Sequence, residues 1–365
     1  MTNHQLNLIF ESFGTEGHVK HWEPFGNGHI NDTFLGKNQK NEASDFILQR
    51  KNHKIFTNVP GMMDNITAVT EHIRKGLEEK NEADIDRKVM KYFPAKDGKW
   101  YVNDKQGNYW TLFLYIPGSH SVENIENPEQ AMMAARAFGH FQLQLSDLPG
   151  GKLVETIPNF HNGISRLNDF RKAIELDQAA RVGENRELLE QLLNRADEMT
   201  LLQKWLDSGE LPLRITHNDT KINNILFEKN DQPLCIIDLD TVMPGSALYD
   251  FGDAIRTIGN TAPEDEPDLS KIGFSSDIFK AFAEGYLAEA GKFLTQKERE
   301  NLPFSCLYMA WEQAIRFMTD YLNGDTYYKI AYPEHNLVRT KAQFRYLEIL
   351  EENREAMEKF IRKVG

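Results

Sequence analysis

Apolar positions fall into short runs and alternations through most of the first 117 residues and follow a helical period through most of the remainder. Val19–Pro24, Asp32–Lys37 and Asp45–Arg50 set apolar residues between Gly and Asn breaks, which predicts three strands. Gly61–Glu78 then aligns Met62, Ile66, Val69, Ile73 and Leu77 on one face of a helix. Lys88–Phe93, Lys99–Asn103 and Tyr109–Ile116 return to strand patterning, and Pro117-Gly118 closes the segment. Beyond it helices are predicted over Pro128–Leu145, Ile164–Gln178, Glu187–Asp207, Asp277–Ala290, Gln296–Leu322 and Thr340–Val364. The expectation is an α+β chain of two lobes: residues 1–117 as a small antiparallel-sheet lobe, and 118–365 as a larger, mainly helical one.

One stretch breaks the helical pattern. Ile225–Glu228 and Leu234–Ile237 are short apolar-rich strands, and Lys229-Asn230-Asp231-Gln232 between them suits a turn. Folding that hairpin about its middle sets position 224 opposite position 238, to within one residue. Antiparallel neighbours lie roughly 4.5–5.5 Å apart at Cα, so Asn224 and Asp238 can aim two hard oxygens at one point. With phosphate oxygens completing the shell, such a donor set suits Mg²⁺. Asp219 stands in the loop entering the same hairpin, placed to take a proton from an attacking hydroxyl. Asp240, two residues beyond Asp238, is expected either to hold a second ion or to be solvated.

Composition narrows the function classes. Net charge is −13, which argues against nucleic-acid binding, since phosphate backbones need a basic face. Cys235 and Cys306 have no metal-site spacing and read as reduced, buried thiols. No run approaches 18 apolar residues and the amino terminus lacks a signal-peptide core, so a cytoplasmic protein without a membrane span is expected. Nothing points to an obligate protein partner.

The spacing His217-x-Asp219-x-x-x-x-Asn224, followed after a hairpin by Ile237-Asp238, resembles the catalytic and metal-binding loops of protein-kinase-like phosphotransferases. Asn218 after His217 brings it nearer the aminoglycoside phosphotransferase and choline kinase branch. That resemblance implies ATP as phosphoryl donor and Mg²⁺ as its companion. Gly26, Gly28, His29 and Asn31 would form a glycine turn over the phosphates, and backbone groups between Leu114 and Ile116 would meet the adenine edge. On the third strand Arg50 is the preferred phosphate cation, because a guanidinium stays charged when buried; Lys51 is the rival, on the other face. Asp64 or Glu71 would supply its partner acid.

His217, Lys221 and Asp250 are expected to support the reacting groups. Lys221 either stabilises the transferring phosphoryl or reaches solvent. Asp250-Phe251-Gly252 spells the protein kinase metal motif but falls outside the hairpin, so Asp250 and Asp253 are expected to cap a helix or brace the catalytic loop. For Arg316 and Asp320, four apart on a helix, an ion pair is the plain structural expectation.

Gly26–Thr33, Leu48-Gln49-Arg50 and Arg214–Asn224 together resemble the N-acetylhexosamine 1-kinases. This implies phosphorylation of the anomeric hydroxyl of N-acetylglucosamine or N-acetylgalactosamine, with Arg316 and Tyr327 contacting the sugar. Choline, methylthioribose, homoserine and aminoglycoside kinases share the hairpin and remain alternatives, as does a nucleotide-binding pseudokinase. A choline site would need an aromatic cage, for which Trp311, Tyr321 and Tyr327 are the candidates.

Overall fold

The structure, a computed structural model, describes residues 1–26, 30–38, 44–148 and 153–365. From the amino end run α1 (Asn3–Phe10), β1 (Val19–Pro24), β2 (Asp32–Asn38), β3 (Phe46–Lys51), α2 (Val59–Glu79) and α3 (Ile85–Lys88). Then follow β4 (Tyr92–Phe93), β5 (Val102–Asn103), β6 (Tyr109–Leu114), β7 (His120–Ser121), α4 (Pro128–Gln144), α5 (Gly163–Leu176), α6 (Arg186–Asn194), α7 (Ala196–Met199) and α8 (Leu201–Asp207). Strand β8 (Arg214–Thr216) leads to the hairpin β9 (Ile225–Phe227) and β10 (Pro233–Ile236), and β11 (Met243–Gly245) follows. The chain closes with α9 (Ala247–Ile258), α10 (Ser276–Ala290), α11 (Gln296–Glu300), α12 (Leu302–Leu322) and α13 (His335–Val364).

These elements form two compact units. The first takes in residues 1–122, 144–158 and 224–244; the second takes in 123–143, 159–223 and 245–365. The hairpin expected within the helical lobe therefore packs with the first unit.

In the first unit an antiparallel sheet runs in the order β1-β2-β3-β6-β4, with β5 also on β6, and a smaller sheet runs β10-β9-β7. Aromatic residues fill its core: Phe10, Phe13, Trp22, Phe46 and Trp110 are buried together with Leu48 and Leu112. Gly36 is required where β2 passes Trp22, since a Cβ there would stand 2.5 Å from the indole. Helix α2 starts at Asn58, whose side chain accepts from the Gly61 N–H, and buries the expected stripe of Met62, Ile66, Val69, Ile73 and Leu77.

The second unit is built around α12, which is buried on nearly every side and packs against α13, α9 and α5. Its first half, Leu302–Trp311, is apolar on nearly every side, as such a centre requires, and its second half brings in Glu312, Arg316 and Asp320. Lys99–Asn103 keeps only Val102–Asn103 as strand, and three further expectations fail for local reasons. Glu187–Asp207 breaks into α6, α7 and α8. Gln296–Leu322 divides at Asn301, where Pro303 opens α12 as an N-terminal proline does. Lys88–Phe93 keeps only two strand residues, because Lys88 still belongs to α3. No helix among the described residues is long and apolar enough to cross a membrane.

Candidate active site

The loop after β8 is held by its backbone. The N–H groups of His217 and Asn218 donate to the two carboxylate oxygens of Asp250 at 2.9 and 2.7 Å. The Thr220 N–H donates to Asp253 Oδ2 at 3.0 Å, and the Thr220 hydroxyl donates to the Asp250 carbonyl at 2.6 Å. Two acids in the first turns of α9 thus collect three amides of one loop. Asp250 braces the loop, and the helix cap is Ser246. Burial pushes the Asp250 carboxyl up, against His217 and its three donors, the third being Gln142 at 2.6 Å. The rest of that apparent kinase motif is structural: Phe251 is buried against Phe279, Phe282 and Tyr286, and Gly252 lets α9 approach the Ser305 carbonyl of α12.

This bracing leaves Asp219 turned outward, its side chain 28 % exposed, with Lys221 Nζ at 3.1 Å. Burial raises its pKa, but Lys221 and His217 outweigh that, and the carboxyl is held below its ordinary value. Asp219 in turn raises the Lys221 ammonium above its usual range. His217 is fully buried, flanked edge-on by Phe138 and Phe141. Asn218 carries a left-handed backbone, φ 63°, which its residue type tolerates.

In the first unit the hairpin closes as the spacing predicts. Ile225 pairs with Ile236, and the Ile237 N–H donates to the Asn224 carbonyl at 2.9 Å, so Asn224 stands beside the residue preceding Asp238. Asn224 is buried, whereas Asp238 is exposed on a left-handed backbone, φ 58°. One amide and one carboxylate on adjacent strand ends fit a hard divalent cation in donor type. Asp240 is not solvated: it is buried, with Lys51 at 2.5 Å and the Asn31 amide at 2.8 Å.

Strand β3 sends its two candidate cations to opposite faces. Arg50 lies across from Asp32, pairs with it, and is 40 % exposed. Lys51 is buried against Asp240 and Gln49. Neither acid foreseen on α2 is its partner, since Asp64 and Glu71 are both exposed. Next to Asp64, Asn65 is buried and bonded to the carbonyls of Val154 and Val242 and to the Val154 N–H. Of the glycine turn, Gly26 has φ +76° and Asn31 is half-buried; Gly28 and His29 lie outside the described residues. Leu114 and Tyr115 give their N–H groups to the Lys91 and Asp45 carbonyls.

A cavity of about 480 Å³ opens in the second unit, lined by Arg166, Lys172, Arg316, Asn323, Tyr327 and Tyr328 among others. The foreseen Arg316–Asp320 ion pair does not form. Arg316 stands over the Phe160 ring at 5.0 Å and lies 3.7 Å from Glu312. Asp320 instead accepts the successive N–H groups of Thr326, Tyr327 and Tyr328 at 2.8, 2.8 and 2.9 Å. Glu312, fully buried on α12, also meets His161, whose other ring nitrogen is 3.1 Å from the Asn218 carbonyl. His161 thereby ties the loop after β8 to the helix bearing Arg316. No sequence spacing signals that link. Trp311 and Tyr321 are buried, the former bonded to the Leu192 carbonyl and the latter beneath Arg181, so they do not form a cage with Tyr327.

Residues 21–300 match the model of the APH phosphotransferase enzyme family. Among solved structures, the chain resembles an aminoglycoside phosphotransferase from Alicyclobacillus acidocaldarius, with a TM-score of 0.59, 13 % identity, and coverage of 98 % of this chain and 95 % of that one. It resembles a microcompartment-associated aminopropanol kinase equally, with a TM-score of 0.59, 13 % identity, and coverage of 97 % and 98 %. A choline kinase from Cryptosporidium parvum gives a TM-score of 0.58 at 13 % identity, over 99 % and 100 % of the two chains. At such identities the likeness is one of fold, protein-kinase-like with an antiparallel-sheet amino-terminal region and a helical carboxy-terminal one. The family match spans most of the sequence, and the chain belongs to the APH phosphotransferase enzyme family.

Proposed function

We propose that this phosphotransferase is an ATP-dependent small-molecule kinase whose acceptor is the anomeric hydroxyl of an N-acetylhexosamine, N-acetylglucosamine or N-acetylgalactosamine. The observation that carries the choice of acceptor is the cavity's lining of hydrogen-bonding groups beside an exposed tyrosine. Arg166, Lys172 and Arg316 line it against Asp169 and Asp320, and Asp320 is already engaged by three backbone amides. A quaternary-amine acceptor would need an aromatic cage, and Trp311 and Tyr321 are buried away from Tyr327. A neutral sugar finds donors in the guanidiniums and Asn323, and an apolar face in Tyr327, which is 56 % exposed. The cavity's size is ordinary for a small-ligand site.

In this reading Asp219 orients the acceptor hydroxyl and receives its proton as the new O–P bond forms and the bond from the γ-phosphorus to the β,γ-bridging oxygen breaks, releasing ADP. Its depressed pKa keeps it ionised at neutral pH. Lys221 stays charged beside it, and Asp250 and Asp253 fix the loop, so little reorganisation is needed when charge moves. Asn224 and Asp238 are the residues that would hold Mg²⁺. When bound, the ion supplies charge neutralisation on the β- and γ-phosphates. The Ile116 segment would meet the adenine edge, since the Leu114 and Tyr115 amides are already bonded.

The test is an ADP-release assay with the full chain over N-acetylglucosamine, N-acetylgalactosamine, glucose, choline, methylthioribose and an aminoglycoside. Turnover is expected with the acetylated amino sugars. Phosphorus coupling to the anomeric proton of the product, read by NMR, would identify the bond made. Turnover with the amines alone would overturn the sugar assignment.

A further inference from the structure

Lys51 and Asp240 make a buried ion pair within the first unit, Nζ to Oδ1 at 2.5 Å, their side chains 1 % and 4 % exposed. The second carboxylate oxygen of Asp240 accepts the Asn31 amide at 2.8 Å. Asn31 Oδ1 accepts the backbone N–H of Asn52, the residue after Lys51, at 3.0 Å. Gln49, two residues before Lys51 and so on the same face of β3, sets its Oε1 2.5 Å from the ammonium. Its own amide is anchored on the Thr33 hydroxyl at 3.0 Å. A buried pair is tolerated when its remaining polar atoms are satisfied, and here they nearly all are. An ammonium has three donors and two are engaged, which leaves one for a phosphate oxygen.

Helix α2 offers no acid to this lysine. Asp64 and Glu71 are exposed, and the buried polar residues of α2, Asn65, Thr67 and Thr70, are bonded to backbone groups. Asp240 meanwhile meets a nitrogen donor at each oxygen and is 4 % exposed, whereas Asp238, two residues earlier, is exposed to an incoming ion. Asn31, at the end of the glycine turn, joins the acid to β3.

We propose that Asp240 is the positioning residue for Lys51, presetting that ammonium for the nucleotide phosphates, and is not a metal ligand. The inference rests on the chain being an ATP-dependent kinase and not on the identity of its acceptor.

The experiment is calorimetric binding of Mg²⁺·AMP-PNP without acceptor, together with Mg²⁺ activation curves at fixed ATP. Lys51→Met and Asp240→Asn are each expected to weaken nucleotide binding about tenfold or more, a loss of about 1.4 kcal/mol. The double variant should be no weaker than the worse single one. Asp240→Glu, which restores charge, should recover part of the affinity. Asp240→Asn should leave the Mg²⁺ midpoint in place, whereas Asp238→Asn should move it. If Asp240→Asn is poorly folded, Asn31→Ala reports on the same contact from its half-buried end, with a smaller loss of the same sign that Lys51→Met abolishes. A Mg²⁺ midpoint displaced in Asp240→Asn as in Asp238→Asn, or additive losses in the double variant, would overturn the assignment. A wild-type protein that binds no Mg²⁺·AMP-PNP would instead sink the kinase reading itself.

Discussion

Each unit buries charge, and the two do so differently. In the first, Lys51 and Asp240 are held by short bonds to each other and to Gln49 and Asn31. In the second, Glu312 is fully buried on α12, with His161 at 3.1 Å but Arg316 and Arg166 only at 3.7 and 3.9 Å. Its Oε1 has no hydrogen-bond partner among the described residues. Burial alone would raise the Glu312 pKa, yet His161 and Arg316, with Arg166 behind them, pull it down to about 2. The first arrangement is fixed by directional bonds, the second by summed attraction at longer range. Directional bonds preset one geometry, which suits the unchanging phosphates of a nucleotide. Longer-range attraction keeps cations at a cavity wall, where Arg166 gives two donors to the Phe160 carbonyl and Arg316 one to Gln313, with further N–H groups left for a ligand.

That contrast can be broken at its catalytic edge, where the largest effect is expected. Asp219→Asn should lower turnover by about 10²–10⁴-fold while Mg²⁺·AMP-PNP still binds, as read by steady-state kinetics and calorimetry. Because the folded pKa of Asp219 is depressed, the group stays ionised through mildly acidic pH, and its acid limb in kcat/KM should lie below 3.8. A limb near pH 6 that vanishes in Asp219→Asn would place a different environment around it.

Glu312→Gln tests the summed-attraction account. A carboxyl at about 2 in the folded protein against 4.5 unfolded contributes about 3 kcal/mol of stability at neutral pH. The contribution is present above 4.5 and is lost as pH falls toward 2, so urea unfolding of the wild type and the variant should converge across that window. A pH-independent difference would mean that packing, not charge, is what the glutamate supplies. The smallest effects belong to the cavity wall. Arg316→Met should raise the acceptor KM roughly 10- to 100-fold, and Tyr327→Ala roughly three- to tenfold, with the ATP KM unmoved in both. An altered ATP KM would detach the cavity from the acceptor.

What could be read in the sequence was local. The hairpin joining Asn224 to Asp238 spans few residues, its turn has recognisable chemistry, and the Ile237–Asn224 bond is where the spacing predicts it. Asp250 was legible as a bracing acid because Met243-Pro244-Gly245 separates it from the hairpin. Lys51 and Asp240 are 189 positions apart, and His161 and Glu312 are 151 apart, so no local spacing could join them. The choice between Arg50 and Lys51 turned on which face of β3 meets the core, which alternation alone leaves open. Helix α1 was missed, although Thr2 and Gln5 form a reciprocal capping box at its start.

The footing of the 326–328 segment is set by one carboxylate, Asp320, gripping three consecutive amides, with Asn336 also donating to it at 2.9 Å. The path of that rim is therefore dictated from beneath and not by the side chains it displays. Residues 326 and 327 are open to exchange without redrawing the backbone, and if the cavity takes the acceptor as proposed, they are the natural positions from which to breed a kinase with altered taste in acceptors.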